Sequence, residues 1–124
     1  MNNTELCRAL FEAFQDGNEA LARSLCSPDL VAIQNGNPPM NLDMLLQFSR
    51  AVLNVVTDFR YEDARRSATD TGFVEEHSVR AELPDGSTLN LAACVVGEVR
   101  DGKICELREY FDGTAAAGLV AALS

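Results

Sequence analysis

At 124 residues, with 47% hydrophobic, 23% charged and 6% aromatic side chains, the chain has the make-up of one globular domain, 1–124. Such a domain buries roughly two thirds of its unfolded surface and needs no metal or disulfide to hold it. Ten Lys and Arg against nineteen Asp and Glu leave a net charge of −9, which argues against nucleic-acid or anionic-membrane partners. The start, MNNTELCRAL, lacks the charged and apolar regions of a secretory signal, and no apolar run nears the roughly 20 residues of a membrane span. Cys7, Cys26, Cys94 and Cys105 form no CxxC pair. The expectation is therefore a cytoplasmic chain with free thiols and no metal site.

In chain order, Thr4 caps a helix in which Leu6, Leu10 and Phe14 recur at helical spacing until Gly17 stops it. Asn18 caps a second, shorter helix with Leu21, Ala22 and Leu25 on one side, ended by Ser27-Pro28. Leu30 to Ile33 is too short for a helix and reads as a brief strand. Asn35-Gly36-Asn37-Pro38-Pro39 is a loop by its turn chemistry, and Asn41 caps a third helix through about Val56.

The period then changes to two. A strand runs from Phe59 to about Ser67, with Arg65-Arg66 as a solvated approach to the turn at 68–72. The next, Phe73 to Leu83, carries Glu75, His77, Val79 and Ala81 on one face. Pro84-Asp85-Gly86 turns the chain into Thr88 to Arg100. Asp101-Gly102 is a type I′ hairpin signal that returns Lys103 to Asp112 antiparallel. An alanine-rich helix, Ala115 to Leu123 with Thr114 as cap, ends the chain. Helices followed by a four-strand meander make an α+β domain: the N-terminal helices pack in a curved antiparallel sheet whose open mouth suits a small ligand.

On the returning strand, period two puts Cys105, Leu107, Glu109 and Phe111 on one face. If that face lines the mouth, Glu109 is a lone carboxylate among apolar groups, where desolvation lifts its pKa toward the range of a general acid or base. A solvent-facing or arginine-paired carboxylate is the commoner fate of such a residue. His77, the single histidine, lies two strands away, and small residues between them, Ala93 among them, leave room for a His77–Glu109 pair. A histidine bonded to a backbone carbonyl is the alternative. Asn35 ends the short strand, as a site residue or as a plain Asn-Gly turn. Tyr61 is a candidate hydrogen-bond donor, and Phe14, Val79, Leu107 and Phe111 are candidate apolar walls. No GxGxxG, P-loop or nucleophile elbow occurs, so a nucleotide cofactor or a serine hydrolase is not expected, and no cofactor is called for.

The order helix, helix, short strand, helix, meander, with Asp101-Gly102-Lys103-Ile104 leading to Glu109-Tyr110-Phe111-Asp112, resembles the nuclear transport factor 2-like superfamily and its SnoaL-like branch. The resemblance spans nearly the whole chain. It implies a cystatin-like cone, usually homodimeric through the open sheet face. It also implies the activities of ketosteroid isomerases, polyketide cyclases or limonene-epoxide hydrolases, or a non-catalytic binding or dimerisation module. Laid over the limonene-epoxide hydrolases, the water-activating carboxylate falls on Glu109, their tyrosine and asparagine on Ile33 and Asn35, and their Arg-x-Asp on His77-Ser78-Val79. The helix-one tyrosine of ketosteroid isomerases has no counterpart, Phe11 and Phe14 standing there instead. The expected partner is a small, apolar, oxygenated molecule, transformed by general acid–base chemistry or simply bound.

Overall fold

A computed structural model describes residues 1–124. Helix α1 (Asn3–Asp16) is capped by Asn2, whose side chain accepts from the Glu5 N–H, and ends at Gly17 in the left-handed conformation (φ 67°). Thr4 is not the cap: its hydroxyl donates to the Asn2 Oδ1. Asn18 caps α2 (Glu19–Leu25) and Asn41 caps α3 (Leu42–Val55), each accepting from a backbone N–H three residues on. The C-terminal helix α4 (Ala117–Leu123) is shorter than expected. It has no side-chain cap, and Thr114 lies in the turn before it.

Five strands form one sheet in the order β1-β5-β4-β3-β2: β1 (Cys26–Gln34), β2 (Thr57–Ala68), β3 (Gly72–Glu82), β4 (Thr88–Arg100) and β5 (Lys103–Phe111). The meander β2 to β5 is antiparallel as expected. The sheet as a whole is mixed, because β1 is a full strand paired parallel to β5. At the β4–β5 hairpin both Asp101 (φ 53°) and Gly102 (φ 74°) take positive φ, as a type I′ turn requires.

Two bulges set which side chains point inward. Between Glu62 and Arg65 the register of β2 against β3 shifts, so Arg66 faces Glu75 on the inner side of the sheet. The expectation that Arg65-Arg66 is solvated fails for Arg66, because the extra residue in β2 turns it inward. A second shift, at Glu98/Val99 against β5, leaves Cys105 as the unpaired residue, its thiol donating to the Glu98 carbonyl at 3.5 Å. Ile104 takes the inward place that period two assigned to Cys105, and is fully buried.

The inner face meets the helices in two hydrophobic cores. The larger joins α1, α2, β1 and α3 to Phe73, Val95, Ile104 and Leu107. The smaller joins Val52 and Val56 to Val79, Leu89, Leu91 and Leu119. Each large side chain buried in them contributes about 1.5–3 kcal/mol. Tyr61 packs against both. No helix is long and apolar enough to cross a membrane.

Candidate active site

Between the cores lies a cavity of about 410 Å³ in which 19 of 25 lining residues are hydrophobic. Phe11 and Phe14 of α1, Phe48 and Val52 of α3, Phe59 of β2, and Val79, Leu107 and Phe111 of the sheet form its walls, and Leu119 of α4 closes one side. The polar groups that reach it are Gln34, Asn35, Asn37, Ser49, Tyr61 and Glu109. Glu109 is thus the one charged side chain in the lining.

Glu109 points inward because β5 places it opposite Val95 and beside Gln34 of β1. The Gln34 amide Nε2 donates to its Oε1 at 3.1 Å. Desolvation raises the carboxyl above its usual range, against the opposing pull of His77 and the Gln34 hydrogen bond. Sequence reasoning missed Gln34, although Leu30, Ala32 and Gln34 share one face by period two. What it lacked was the strand's partner.

Tyr61 faces Val79 across β2 and β3. Its ring meets Phe11 and Phe59 edge-on, with centroids 5.2 Å apart in both cases. Burial, then the charges of Glu109 and Glu75, push its hydroxyl well above the usual tyrosine range, so it keeps its proton.

His77 stands behind this wall rather than in it, its ring centroid 4.6 Å from Tyr61 and 4.9 Å from Phe11. Its hydrogen bond goes to Glu75 and not to Glu109: Nδ1 lies 2.6 Å from Glu75 Oε2. The expected His77–Glu109 pair gives way because Glu75, two residues back on the same strand face, is the nearer carboxylate. Glu75 is fully buried. Its Oε1 accepts from Arg66 Nε at 2.7 Å and from the Cys7 thiol at 3.6 Å. Burial would raise the Glu75 carboxyl, but the hydrogen bonds from His77 and Arg66 outweigh it and hold the group below the usual carboxylate range. Burial and the Glu75 charge push the Cys7 thiol up to about 12.

Asn35 does structural work at the mouth. Its amide donates to the Phe111 carbonyl and accepts from the Phe111 N–H, each at 2.9 Å. It thereby extends the β1–β5 ladder past a residue at φ 50°. One N–H of that amide and one lone pair of its oxygen are left over from these two bonds, and Asn35 is part of the cavity lining. Phe14, Val79, Leu107 and Phe111 all line the cavity. No cluster of three His, Cys, Asp or Glu side chains is placed to hold a metal ion.

The family model of the SnoaL-like domain matches residues 7–107. Among solved structures, a proposed polyketide cyclase from Xanthomonas campestris pv. campestris superposes with a TM-score of 0.82 at 22% identity, covering 98% of this chain and 96% of that one. An LEH-like epoxide hydrolase of M. tuberculosis gives 0.74 at 21% identity, with 96% and 90% covered. An NTF2-like protein from Burkholderia pseudomallei gives 0.82 at 16% identity, with 96% and 98% covered. At these identities the likeness is one of fold. No curated protein sequence matches the chain.

Proposed function

The chain belongs to the SnoaL-like family, and we propose that it is a cofactor-independent isomerase, cyclase or hydrolase acting on a neutral, apolar, oxygenated small molecule. One observation carries this reading: a single carboxylate, Glu109, enters a largely apolar cavity whose other polar groups are uncharged and that no cationic side chain lines. An anionic substrate would meet no counter-charge there. A ketone or epoxide of about ten to fifteen heavy atoms would lose only weak hydration on entering.

The chemistry follows from two groups. Ionised Glu109 removes a proton from the carbon beside a carbonyl, and the Tyr61 hydroxyl donates to the oxygen on which negative charge develops. Returning the proton to another carbon completes an isomerisation. Attack of the enolate carbon on a second carbonyl of the same molecule closes a ring. With an epoxide, Glu109 takes a proton from the attacking water instead, and Tyr61 faces the opening oxygen. In each case Gln34 holds the carboxylate by its hydrogen bond.

The test is exchange of the α-protons of 1-tetralone with deuterated solvent, followed by NMR, with limonene oxide hydrolysis run in parallel. Glu109→Gln keeps the volume and removes the base, and should lower the rate at least about a hundredfold. Tyr61→Phe should cost about as much, as loss of an oxyanion donor does. A Glu109→Gln rate within twofold of the parent removes the assignment. Val79, standing where the epoxide hydrolases carry their acid, favours a pure binding module as the second reading. Equal binding of both molecules by parent and Glu109→Gln, without turnover, would establish that one.

A further inference from the structure

Two carboxylates flank Val95 on the inner face of the sheet, and they are partnered differently. Glu75 is paired with Arg66 at 2.7 Å. Glu109 has no cationic side chain beside it in the cavity lining, and its one side-chain hydrogen bond, from the Gln34 amide, goes to Oε1. Oε2 is left without a protein donor. The buried side-chain atoms that lack a partner are His77 Nε2 and Arg80 Nε, so Oε2 is open to the cavity rather than sealed behind its wall. That wall is unusually aromatic for this chain. Six Phe and two Tyr are all the chain has, and Phe11, Phe14, Phe48, Phe59, Tyr61 and Phe111 line this one cavity. Phe111 follows Glu109 by two residues on β5, which puts both on the inner face with backbones about 7 Å apart.

We propose that the cavity takes a second class of ligand, a protonated tertiary amine on an apolar ring body, with its N–H on Glu109 Oε2 and its N-alkyl groups against the aromatic wall. A tertiary ammonium has one N–H to satisfy, and the carboxylate has one oxygen without a partner, so the two make a charge-assisted hydrogen bond with nothing left over. A primary ammonium or a guanidinium would bring three or five N–H groups to a largely apolar lining and leave most of them unpaired. The alkyl groups of a tertiary amine are themselves apolar, and aromatic rings attract a cation through their quadrupole, which offsets its lost hydration. Desolvation is what raises the Glu109 carboxyl, and a cation at Oε2 opposes it directly. At long range the net charge of −9 draws cations toward the molecule. This binding needs the carboxylate and the cavity but no proton transfer between them. With Oε1 held by Gln34, Oε2 is also the oxygen free to take a substrate proton, so amine and ketone exclude one another.

The probes are 2-(dimethylamino)tetralin, protonated at neutral pH, and 2-isopropyltetralin, which has the same shape with a C–H in place of the charged N–H. Equilibrium dialysis against the intact protein measures both. The parent should bind the amine with a Kd below about 1 mM, and saturation with it should shift the side-chain NH2 signal of Gln34 in the 15N-labelled protein, because that group holds the same carboxylate. Glu109→Gln should weaken the amine at least about tenfold while the hydrocarbon stays within threefold. A parent Kd above that limit overturns the proposal without any variant having to fold, and so does saturation that leaves the Gln34 signal unmoved. A Glu109→Gln protein that binds the amine as the parent does, or that loses amine and hydrocarbon equally, overturns it as well, since shape and not charge would then hold the ligand. Failure of the acid–base reading shows separately, as 1-tetralone exchange that survives Glu109→Gln, and leaves the dialysis result as it stands.

Discussion

Glu75 and Glu109 lie on the same inner face, both opposite Val95 across β4, yet their environments displace them in opposite directions. Burial dominates at Glu109 and raises it. At Glu75 burial is opposed and outweighed by the hydrogen bonds from His77 and Arg66, which lower it. Linkage turns these directions into opposite pH dependences. A raised carboxyl holds its proton more tightly in the folded state, so its contribution is intact below the unfolded value and is lost as pH rises through the folded one. Glu109→Gln should therefore melt higher than the parent at pH 8, with the gain vanishing near pH 4. A lowered carboxyl contributes above the unfolded value and loses that contribution as pH falls through the folded one. Glu75→Gln should accordingly be less stable at pH 8, by about 1–3 kcal/mol for weakened bonds to charged partners, and the deficit should narrow in acid. Urea melts at both pH values decide each case, and two variants moving together would contradict the assignment. The pH–rate profile should rise through a midpoint above the ordinary glutamate value, because the ionised Glu109 is the active form.

Among the elements, Gly97 shows how closely the sheet meets the core. A Cβ built there would lie 2.2 Å from Phe73 Cζ and 2.6 Å from both Cε atoms, so the Phe73 ring lies flat on the strand and is fully buried. Gly97→Ala should cost about 1–3 kcal/mol as an overpacked core does, read as a lower urea midpoint at unchanged slope. A midpoint equal to the parent's would show that the ring can move aside. Local chemistry made much of this architecture readable. Asn18, Asn41 and Gly17 terminate helices as their types demand, and Asp101-Gly102 could only turn the chain in one way. What escaped was non-local. Gln34 bonds a carboxylate 75 positions on, through a parallel pairing that no turn announces. Arg66 and Cys105 were misplaced because a bulge moves the alternation by one residue, and nothing in Glu62-Asp63-Ala64 or Glu98-Val99 marks a bulge except in register with a neighbour. Glu109 and the apolar wall were legible because they sit where period two is unbroken. Glu75 was placed on the correct face but passed over, since its function depends on what Arg66 and His77 do.

On the scale of the whole molecule, the helices cover only the inner face of the sheet. The outer face carries Val74 paired with Val96 and Cys94 paired with Tyr110, and Tyr110 is 51% exposed. Ion pairs flank this strip: Arg80 with Glu62 at 3.0 Å on one side, Arg108 with Glu98 at 3.9 Å and with Glu106 on the other. An apolar centre with charges of both signs at its margins is self-complementary under a two-fold axis, since Arg108 of one copy can meet the acids of another. We therefore expect a homodimer through the outer face, seen as a doubled mass by light scattering at micromolar concentration. Val96→Asp places a carboxylate at the centre of the strip, where two copies would bury two like charges against each other. It should weaken association by at least about a hundredfold, the effect of roughly 2.7 kcal/mol, while far-UV circular dichroism stays unchanged, because Val96 points away from the core. A parent protein that is monomeric throughout would refute the interface, and a Val96→Asp protein that remains dimeric would place it on another face. Because the strip is the reverse side of the strands that carry Glu75, His77 and Glu109, pairing there would stiffen the floor of the cavity. The monomeric variant should then exchange 1-tetralone protons more slowly at full occupancy than the dimer does.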